Sequence, residues 1–321
     1  MRLGQNPAKA IDHVAKPARV TVAVVSYIPF LGGYYSQSLD VLKACLESIW
    51  RNTDQPYDLL VFDNASCAEV RTYLTAQQQE GRIQFLLLSE KNIGKGGAWN
   101  FIFAGAPGEI IAYADSDIYF LPGWLAALLK VLESFPNPGM ITGMPMWSPA
   151  EYSTSTVRWA ESQPEARLER GKLLAWEDYW RHARSLGQSE AEAQSHFDAQ
   201  VDICLQYQGQ RYFIGAGHFQ FVARRDVLQR ALPIPSERPM GQVRSLDKAI
   251  NEAGYLRLST QEWWIQHLGN TTQRIAELQG ASPGQKGKTA GKKPGGLLSW
   301  RPVRRLLLWT HNKTFNLLYR S

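Results

Sequence analysis

Two carboxylates close an apolar run: Ile111-Ala112-Tyr113-Ala114 leads directly into Asp115-Ser116-Asp117. An unpaired ionised group costs several kcal/mol to desolvate, so a buried strand does not place two at its mouth without partners. A divalent cation carrying a diphosphate is the natural partner. Hard cations take oxygen ligands, and Mg²⁺ or Mn²⁺ usually takes one or two carboxylates, leaving its other positions to phosphate and water. Ligands of open α/β sheets bind beyond the carboxyl ends of the strands, and the pair stands at such an end. The plainer alternative is that these aspartates cap the next helix, a position Asp favours.

Other polar residues fall at comparable places. Ser26-Tyr27 follows the first apolar run, Asp63-Asn64 the second, and Asn92-Ile93-Gly94-Lys95-Gly96-Gly97 the third. Asp63 suits the hydroxyls of a ribose or the edge of a base, or else forms an Asx-turn with Asn64. Lys95, in a glycine-rich turn ahead of a helix, can meet a diphosphate through its ammonium and the helix N-terminus together, or remain a solvated loop lysine. His267 follows a short apolar run and suits a neutral imidazole ligand completing a metal shell; a structural histidine bonded to backbone is the alternative. Gly217 and His218 precede another apolar run and, together with Trp147, are candidates to face a ligand. His218 can equally be a satisfied core histidine. Trp147, Trp159, Trp176 and Trp180 either stack on a ligand or pack the interior, the commoner use of tryptophan.

The elements that must position these residues are readable from apolar periodicity. Strands are expected at 19–27, 57–62, 83–88, 109–114 and 140–144, and helices at 38–51, 68–79, 96–104 and 123–135. Strands alternating with helices predict a doubly wound, mostly parallel α/β sheet. The rhythm breaks at 149–211, a polar, tryptophan-rich stretch with a helical pattern around 177–200, expected to be an insertion rather than sheet. A strand at 219–223, helices at 225–231 and 246–253, and short strands at 256–258 and 263–267 restore it.

The chain has 321 residues, 44% hydrophobic and 20% charged, enough for a full core. Its net charge of +6 is concentrated at one end: residues 277–321 hold nine Lys/Arg and one acid, leaving 26 bases and 28 acids elsewhere. No basic, aromatic-interleaved stripe marks the body, which argues against nucleic acid as a partner. Cys45, Cys67 and Cys204 are far apart and lack metal-ligand spacing, as expected of a reducing compartment. Residues 1–18 lack a continuous apolar core for a secretory signal, and no run of ~18 apolar residues spans a membrane. A cytoplasmic protein is expected. Residues 276–296 read as a flexible basic linker. Residues 297–321 mix Leu and Trp with arginines, which suits an amphipathic segment lying on an anionic membrane surface or docked on the body.

The chain resembles family 2 glycosyltransferases with the GT-A fold. The residues carrying the likeness are the strand VAVVSY, the FDNAS turn, EKNIGKGGAWN, the ADSD of a DXD motif, Gly215–Gly217 before FQFVARRDV, the helix RSLDKAINEAGY and the late WIQHLGN, together spanning 19–270. The resemblance implies a GT-A domain over 19–275 and an inverting transfer of a sugar from a nucleotide-diphosphate sugar, most commonly a UDP-sugar. Mn²⁺ or Mg²⁺ would stabilise the leaving diphosphate, and the acceptor would be a saccharide or lipid-linked glycan of surface polysaccharide synthesis. It implies that Ser26, Tyr27, Asp63, Asn64, Asn92, Gly94, Lys95, Asp115 and Ser116 face the donor, with Asp63 reading the nucleoside. Asp117 and His267, with Asp115, would ligate the metal, while Trp147, Gly217 and His218 and the 149–211 insertion would lie on the acceptor side, the tryptophans stacking on sugar faces. The family often shows Glu-Asp at the start of the helix ending near Gly254. Here Ser245-Leu246-Asp247 stands instead, so Asp247 is the expected base without that Glu, and Glu237 and Glu252 stand behind it. Two rivals remain: a non-catalytic glycan- or membrane-binding protein on the same fold, and a sugar-phosphate nucleotidyltransferase. The stretch after Ser26, Tyr27-Ile28-Pro29-Phe30-Leu31-Gly32-Gly33, lacks the basic residue the latter needs.

Overall fold

The structure is a computed structural model and describes residues 4–240 and 242–278. The expected linker from residue 279 onward and the amphipathic segment 297–321 lie outside them. In chain order the elements begin β1 (Val20–Ser26), α1 (Ser38–Asn52), β2 (Tyr57–Asn64), α2 (Ala68–Gln79), β3 (Phe85–Ser89), α3 (Gly94–Gly105) and β4 (Ile110–Asp115). There follow β5 (Ile118–Phe120), α4 (Trp124–Ser134), β6 (Pro138–Thr142), α5 (Thr154–Ser162), β7 (Arg167–Gly171), α6 (Trp176–Ser185) and α7 (Glu190–Ala199). The remainder is β8 (Asp202–Tyr207), β9 (Gln210–Ile214), β10 (Gln220–Arg224), α8 (Arg225–Arg230), α9 (Arg244–Glu252), β11 (Leu256–Thr260), β12 (Ile265–His267) and α10 (Ile275–Leu278).

Ten strands form one sheet in the order β3-β2-β1-β4-β10-β6-β11-β9-β8-β7. β3, β2, β1 and β4 are parallel. β10 runs against both β4 and β6, while β6 and β11 are parallel again. Seven of the ten strands therefore point the same way, with β10, β9 and β7 opposed. This is the expected mixed α/β class.

Alternation along the strands builds two core layers. Val22 and Val24 of β1 and Ala112 and Ala114 of β4 face one side, where Leu42, Leu46 and Ile49 of α1 and Leu128 and Leu132 of α4 cover them. Ala23, Ile111 and Tyr113 face the other, packed by Trp99 and Phe103 of α3, Leu228 of α8 and Ile250 of α9.

The insertion departs from expectation in two ways. It is not free of sheet: β7 and β8 lie within it, and β9 begins in it, extending the main sheet by an antiparallel meander. Their residues alternate only weakly between polar and apolar, which hid them. The single expected helix is two, α6 and α7, broken at Gly187, whose φ of +80° only glycine adopts without strain. Ser189 then starts α7 with a capping box, its hydroxyl accepting from Glu192 N while the Glu192 carboxylate accepts from Ser189 N.

Candidate functional site

A cleft of about 900 Å³ opens at the carboxyl ends of β4 and β6, lined among others by Lys95, Asp115, Asp117, Trp147, His218 and His267. Asp115-Ser116-Asp117 forms its floor because it is the corner between two sheets: β4 ends at Asp115, and β5 begins at Ile118 in the separate two-stranded sheet with β12. The β5–β12 register sets His267 opposite Ile118. That pairing carries a residue some 150 positions away to the side of Asp117, where His267 Nε2 stands 3.2 Å from Asp117 Oδ2.

The two carboxylates have different surroundings. Both oxygens of Asp115 are engaged: Lys95 Nζ donates to Oδ2 at 2.7 Å and the Tyr113 hydroxyl to Oδ1 at 2.6 Å. Burial, and next the Asp115 charge, raise the Tyr113 hydroxyl well above its ordinary value, so it remains a donor. Asp117 has a buried Oδ1 with no hydrogen-bond partner. Burial raises its pKa, opposed chiefly by His267.

His267 has a defined proton. The Ser185 hydroxyl donates to His182 O at 2.6 Å, so at 2.9 Å it accepts from His267 Nδ1–H. With Nδ1 fixed as the donor, Nε2 is the nitrogen aimed at Asp117 Oδ2, and as a lone pair it would share a cation with that carboxylate. A ligating histidine is usually fixed by donating its other ring N–H to an oxygen acceptor, the place the Ser185 hydroxyl takes here. Gly269 lets the insertion come this close: it has φ +69°, and a Cβ there would lie 2.4 Å from Ser185 O. Behind them, the His182 ring lies 5.5 Å from His267 and 5.0 Å from Phe219, and burial pushes it down to about 3. It is neutral.

Among the described residues no group of three or more His, Cys, Asp or Glu stands together to hold a metal. Asp117 and His267 converge; Asp115, the third expected ligand, is engaged by Lys95. An orphaned carboxylate oxygen beside an oriented imidazole nitrogen nevertheless fits a divalent cation whose remaining ligands are phosphate and water.

The glycine-rich turn has a different role from the one its sequence suggests. Three of the first four amides of α3 are taken: Gly94 N donates to Asn92 Oδ1, Lys95 N to Pro239 O, and Gly97 N to Ser236 Oγ. A Cβ at Gly94 would lie 2.5 Å from Ser236 Oγ, and one at Gly96 2.6 Å from Pro235 O. The glycines thus admit the 234–239 segment, and Lys95 approaches the cleft through its ammonium alone. Asn64 supports the same turn, accepting from Ile93 N at 2.9 Å and donating to Asn92 Oδ1 at 3.0 Å.

Asp63 and Ser26 face each other across β1 and β2. Both are buried and lie off the cleft lining, and Asp63 Oδ1 and Ser26 Oγ have no partner. The other Asp63 oxygen accepts from Ser66 N at 3.1 Å, with Arg71 Nε 3.8 Å away. Burial raises the Asp63 pKa, with Ser66 the main opposing influence. Tyr27 is exposed beside them, and Ser116 is the middle of the Asp115–Asp117 corner.

On the opposite wall, Asp247 does not reach the cleft. It is wholly buried, and its Oδ1 accepts from the equally buried Arg257 at 2.7 Å. Arg257 also donates to Tyr152 O and Ala216 O, tying the insertion, the Gly215–Gly217 loop and α9 together. Burial lowers the Arg257 pKa, and the Asp247 charge opposes that first. Glu237 and Glu252 are on the surface, bonded to Gln242 and Lys248. Of the four tryptophans, Trp147 lines the cleft with its Nε1 on Val201 O, and Trp159 packs on Phe135 and Tyr207. Trp176 and Trp180 stack on each other along α6. Tyr113, Ser185, His182 and Arg257 were not anticipated. Tyr113 stands two positions before Asp115, but on a strand it reads as core; the other three become relevant only through contacts distant in sequence.

Residues 34–186 match the family model described as Glycosyl transferase family 2. An uncharacterized glycosyltransferase of Nostoc sp. is 27% identical over 100 residues, 31% of this chain and 31% of its own length. The succinoglycan biosynthesis protein ExoW of Rhizobium meliloti is 29% identical over 104 residues, 32% of this chain and 33% of its own. The matched stretch thus spans about a third of these relatives. Among solved structures, the mannosyltransferase PcManGT of Pyrobaculum calidifontis, in complex with GDP-Man and Mn²⁺, aligns with 77% of this chain and 55% of its own at 17% identity and a TM-score of 0.42. No described helix is long and apolar enough to cross a membrane.

Proposed function

We propose that this chain, which belongs to glycosyl transferase family 2, moves a sugar from a nucleotide-diphosphate sugar to a saccharide or lipid-linked acceptor, with inversion at the anomeric carbon and dependence on Mn²⁺ or Mg²⁺. The observation that carries the reading is the cleft floor, where Lys95 and the Asp117–His267 pair meet at the carboxyl ends of parallel strands. A cation held by Asp117 and His267 supplies charge neutralisation for the leaving diphosphate. Ser185 holds the His267 ring so that Nε2 is available, and Lys95 brings a second positive charge to the same end. Tyr113 keeps Asp115 bonded when the ammonium turns from it towards phosphate. The facing orphans Ser26 Oγ and Asp63 Oδ1 suit the hydroxyl and N–H donors of a nucleoside. A relative named for succinoglycan biosynthesis supports a saccharide of surface glycan synthesis as acceptor.

The test is release of nucleoside diphosphate from UDP- and GDP-sugars with Mn²⁺, alongside melting-temperature shifts by the free nucleotides. A nucleotide at a hundred times its Kd stabilises by about 2.7 kcal/mol, a shift easily read. Stabilisation by no nucleotide, with or without Mn²⁺, sinks the reading.

A further inference from the structure

Asp247, the residue expected to take the acceptor's proton, is sealed behind His218. The side chain of Asp247 is 1% exposed, while that of His218 is 30% exposed and lines the cleft. Asp247 Oδ1 is held by Arg257, and Oδ2 is buried without a hydrogen-bond donor. The ring nitrogen facing that orphaned oxygen is His218 Nδ1, at 3.7 Å. This is longer than a hydrogen bond, but bonds of this kind are commonly loose before substrate binds.

Both partners hang from one anchor. Arg257 fixes Asp247 through one carboxylate oxygen and fixes the loop before His218 through Ala216 O at 2.6 Å, while Gly215 N donates to Arg257 O at 2.9 Å. Gly217 N donates to Thr142 Oγ1 at 2.8 Å, pinning the residue that precedes the histidine. The loop and the carboxylate are therefore positioned together, with the His218 imidazole and the Arg244 guanidinium between the carboxylate and the cleft. Facing this ring are the Asp247 carboxylate from α9, the Arg244 guanidinium from α9 at 3.8 Å from Asp247 Oδ2, Arg257 from β11 and neutral His182 from α6.

We propose that His218 is the catalytic base and Asp247 its positioning residue, a proposal that rests on the glycosyl-transfer reading of the cleft. Asp247 Oδ2 receives Nδ1–H, which leaves the His218 Nε2 lone pair for the acceptor. As the acceptor oxygen bonds to the anomeric carbon, its O–H proton passes to Nε2. The bond from that carbon to the diphosphate oxygen breaks, and its electron pair leaves with the diphosphate. The imidazolium formed faces the Asp247 carboxylate and returns its proton to solvent. With water as acceptor the same step is donor hydrolysis.

The probes are UDP-glucose, UDP-GlcNAc and GDP-mannose with Mn²⁺, read as UDP or GDP released. His218→Asn is expected to lose about a hundredfold or more in release, with melting shifts by UDP or GDP unchanged. His218→Gly is expected to regain activity when imidazole is added. Release by His218→Asn within about threefold of the parent overturns the proposal while leaving the donor reading intact; loss of the nucleotide shifts in the parent protein sinks the donor reading instead. Nitrogen NMR of the ring, assigned by its loss in His218→Asn, decides the geometry without any turnover. The Nδ1–H tautomer is expected in the parent protein, weakened in Asp247→Asn. A parent ring protonated at Nε2 overturns the proposal, even where Asp247→Asn fails to fold.

Discussion

Lys95–Asp115 in the cleft and Arg257–Asp247 buried behind its opposite wall are ion pairs of the same 2.7 Å separation, yet they are built for opposite purposes. Asp115 is a quarter exposed, its second oxygen is held by Tyr113, and its cation is a single flexible ammonium. The pair can open and leave both halves with partners. Arg257 is fully buried, its fork also reaches two backbone carbonyls, and no water can replace it. A lysine is a point charge on a flexible stem, whereas arginine binds in a fixed fork. The side proposed to face the donor thus carries an exchangeable charge, and the side proposed to face the acceptor a fixed one.

Breaking the fixed pair should have the largest effect. Arg257→Met leaves Asp247 as an uncompensated buried charge and should cost about 3–5 kcal/mol in urea unfolding. A loss below ~1 kcal/mol would show that the pair is not a fixed anchor. Next comes Asp117→Ala, which removes a cleft carboxylate whose buried Oδ1 has no partner. It should lower Mn²⁺-dependent nucleotide release by about 10²–10³, comparable with losing one preorganised charge-stabilising group, while barely moving the melting temperature. Lys95→Met should cost less stability than Arg257→Met, about 1.5–3 kcal/mol as for a hydrogen bond to a charged group, because Tyr113 still serves Asp115. Its stronger effect should be on the affinity for free UDP or GDP by calorimetry. Unchanged nucleotide affinity in Lys95→Met would remove the contrast between the walls.

How far the sequence disclosed this follows the same division. The donor wall was legible because local periodicity builds it: helix 68–79 was placed to the residue, and β1, β2 and β4 to within two. The Asp115–Asp117 corner announced itself because carboxylates at the end of an apolar strand are costly. The acceptor wall depends on contacts far apart in sequence. Arg257 reads as one polar residue in a short strand, and its meaning comes from Tyr152, Ala216 and Asp247 together. The glycine turn was misleading for a related reason: a close backbone approach, here by residues 234–239, leaves the same glycine signature as a phosphate cradle.

Asp63 gives the finest test of the contrast, because it is a donor-side acid with neither a flexible nor a fixed cation bonded to it. Arg71 stands 3.8 Å off, and one carboxylate oxygen has no partner. Burial raises its folded-state pKa above the unfolded value. The folded chain therefore holds this proton more tightly than the unfolded chain does, and folding stability contributed by Asp63 grows as pH falls through the folded pKa towards the unfolded one. At neutral pH the ionised, half-partnered carboxylate weakens the ligand-free fold. Asp63→Asn keeps an oxygen for Ser66 N and removes the charge, so it should flatten this part of the stability profile between about pH 7 and 4 and change neutral-pH stability by about 1 kcal/mol or less, read by urea unfolding across that range. It also replaces the free acceptor oxygen with a donor NH₂, which opposes the hydroxyl or N–H of a nucleoside, so the melting shift by UDP or GDP should shrink. An unchanged pH slope together with an undiminished nucleotide shift would mean that Asp63 only shapes the Ser66 turn, and that the donor wall begins at Lys95.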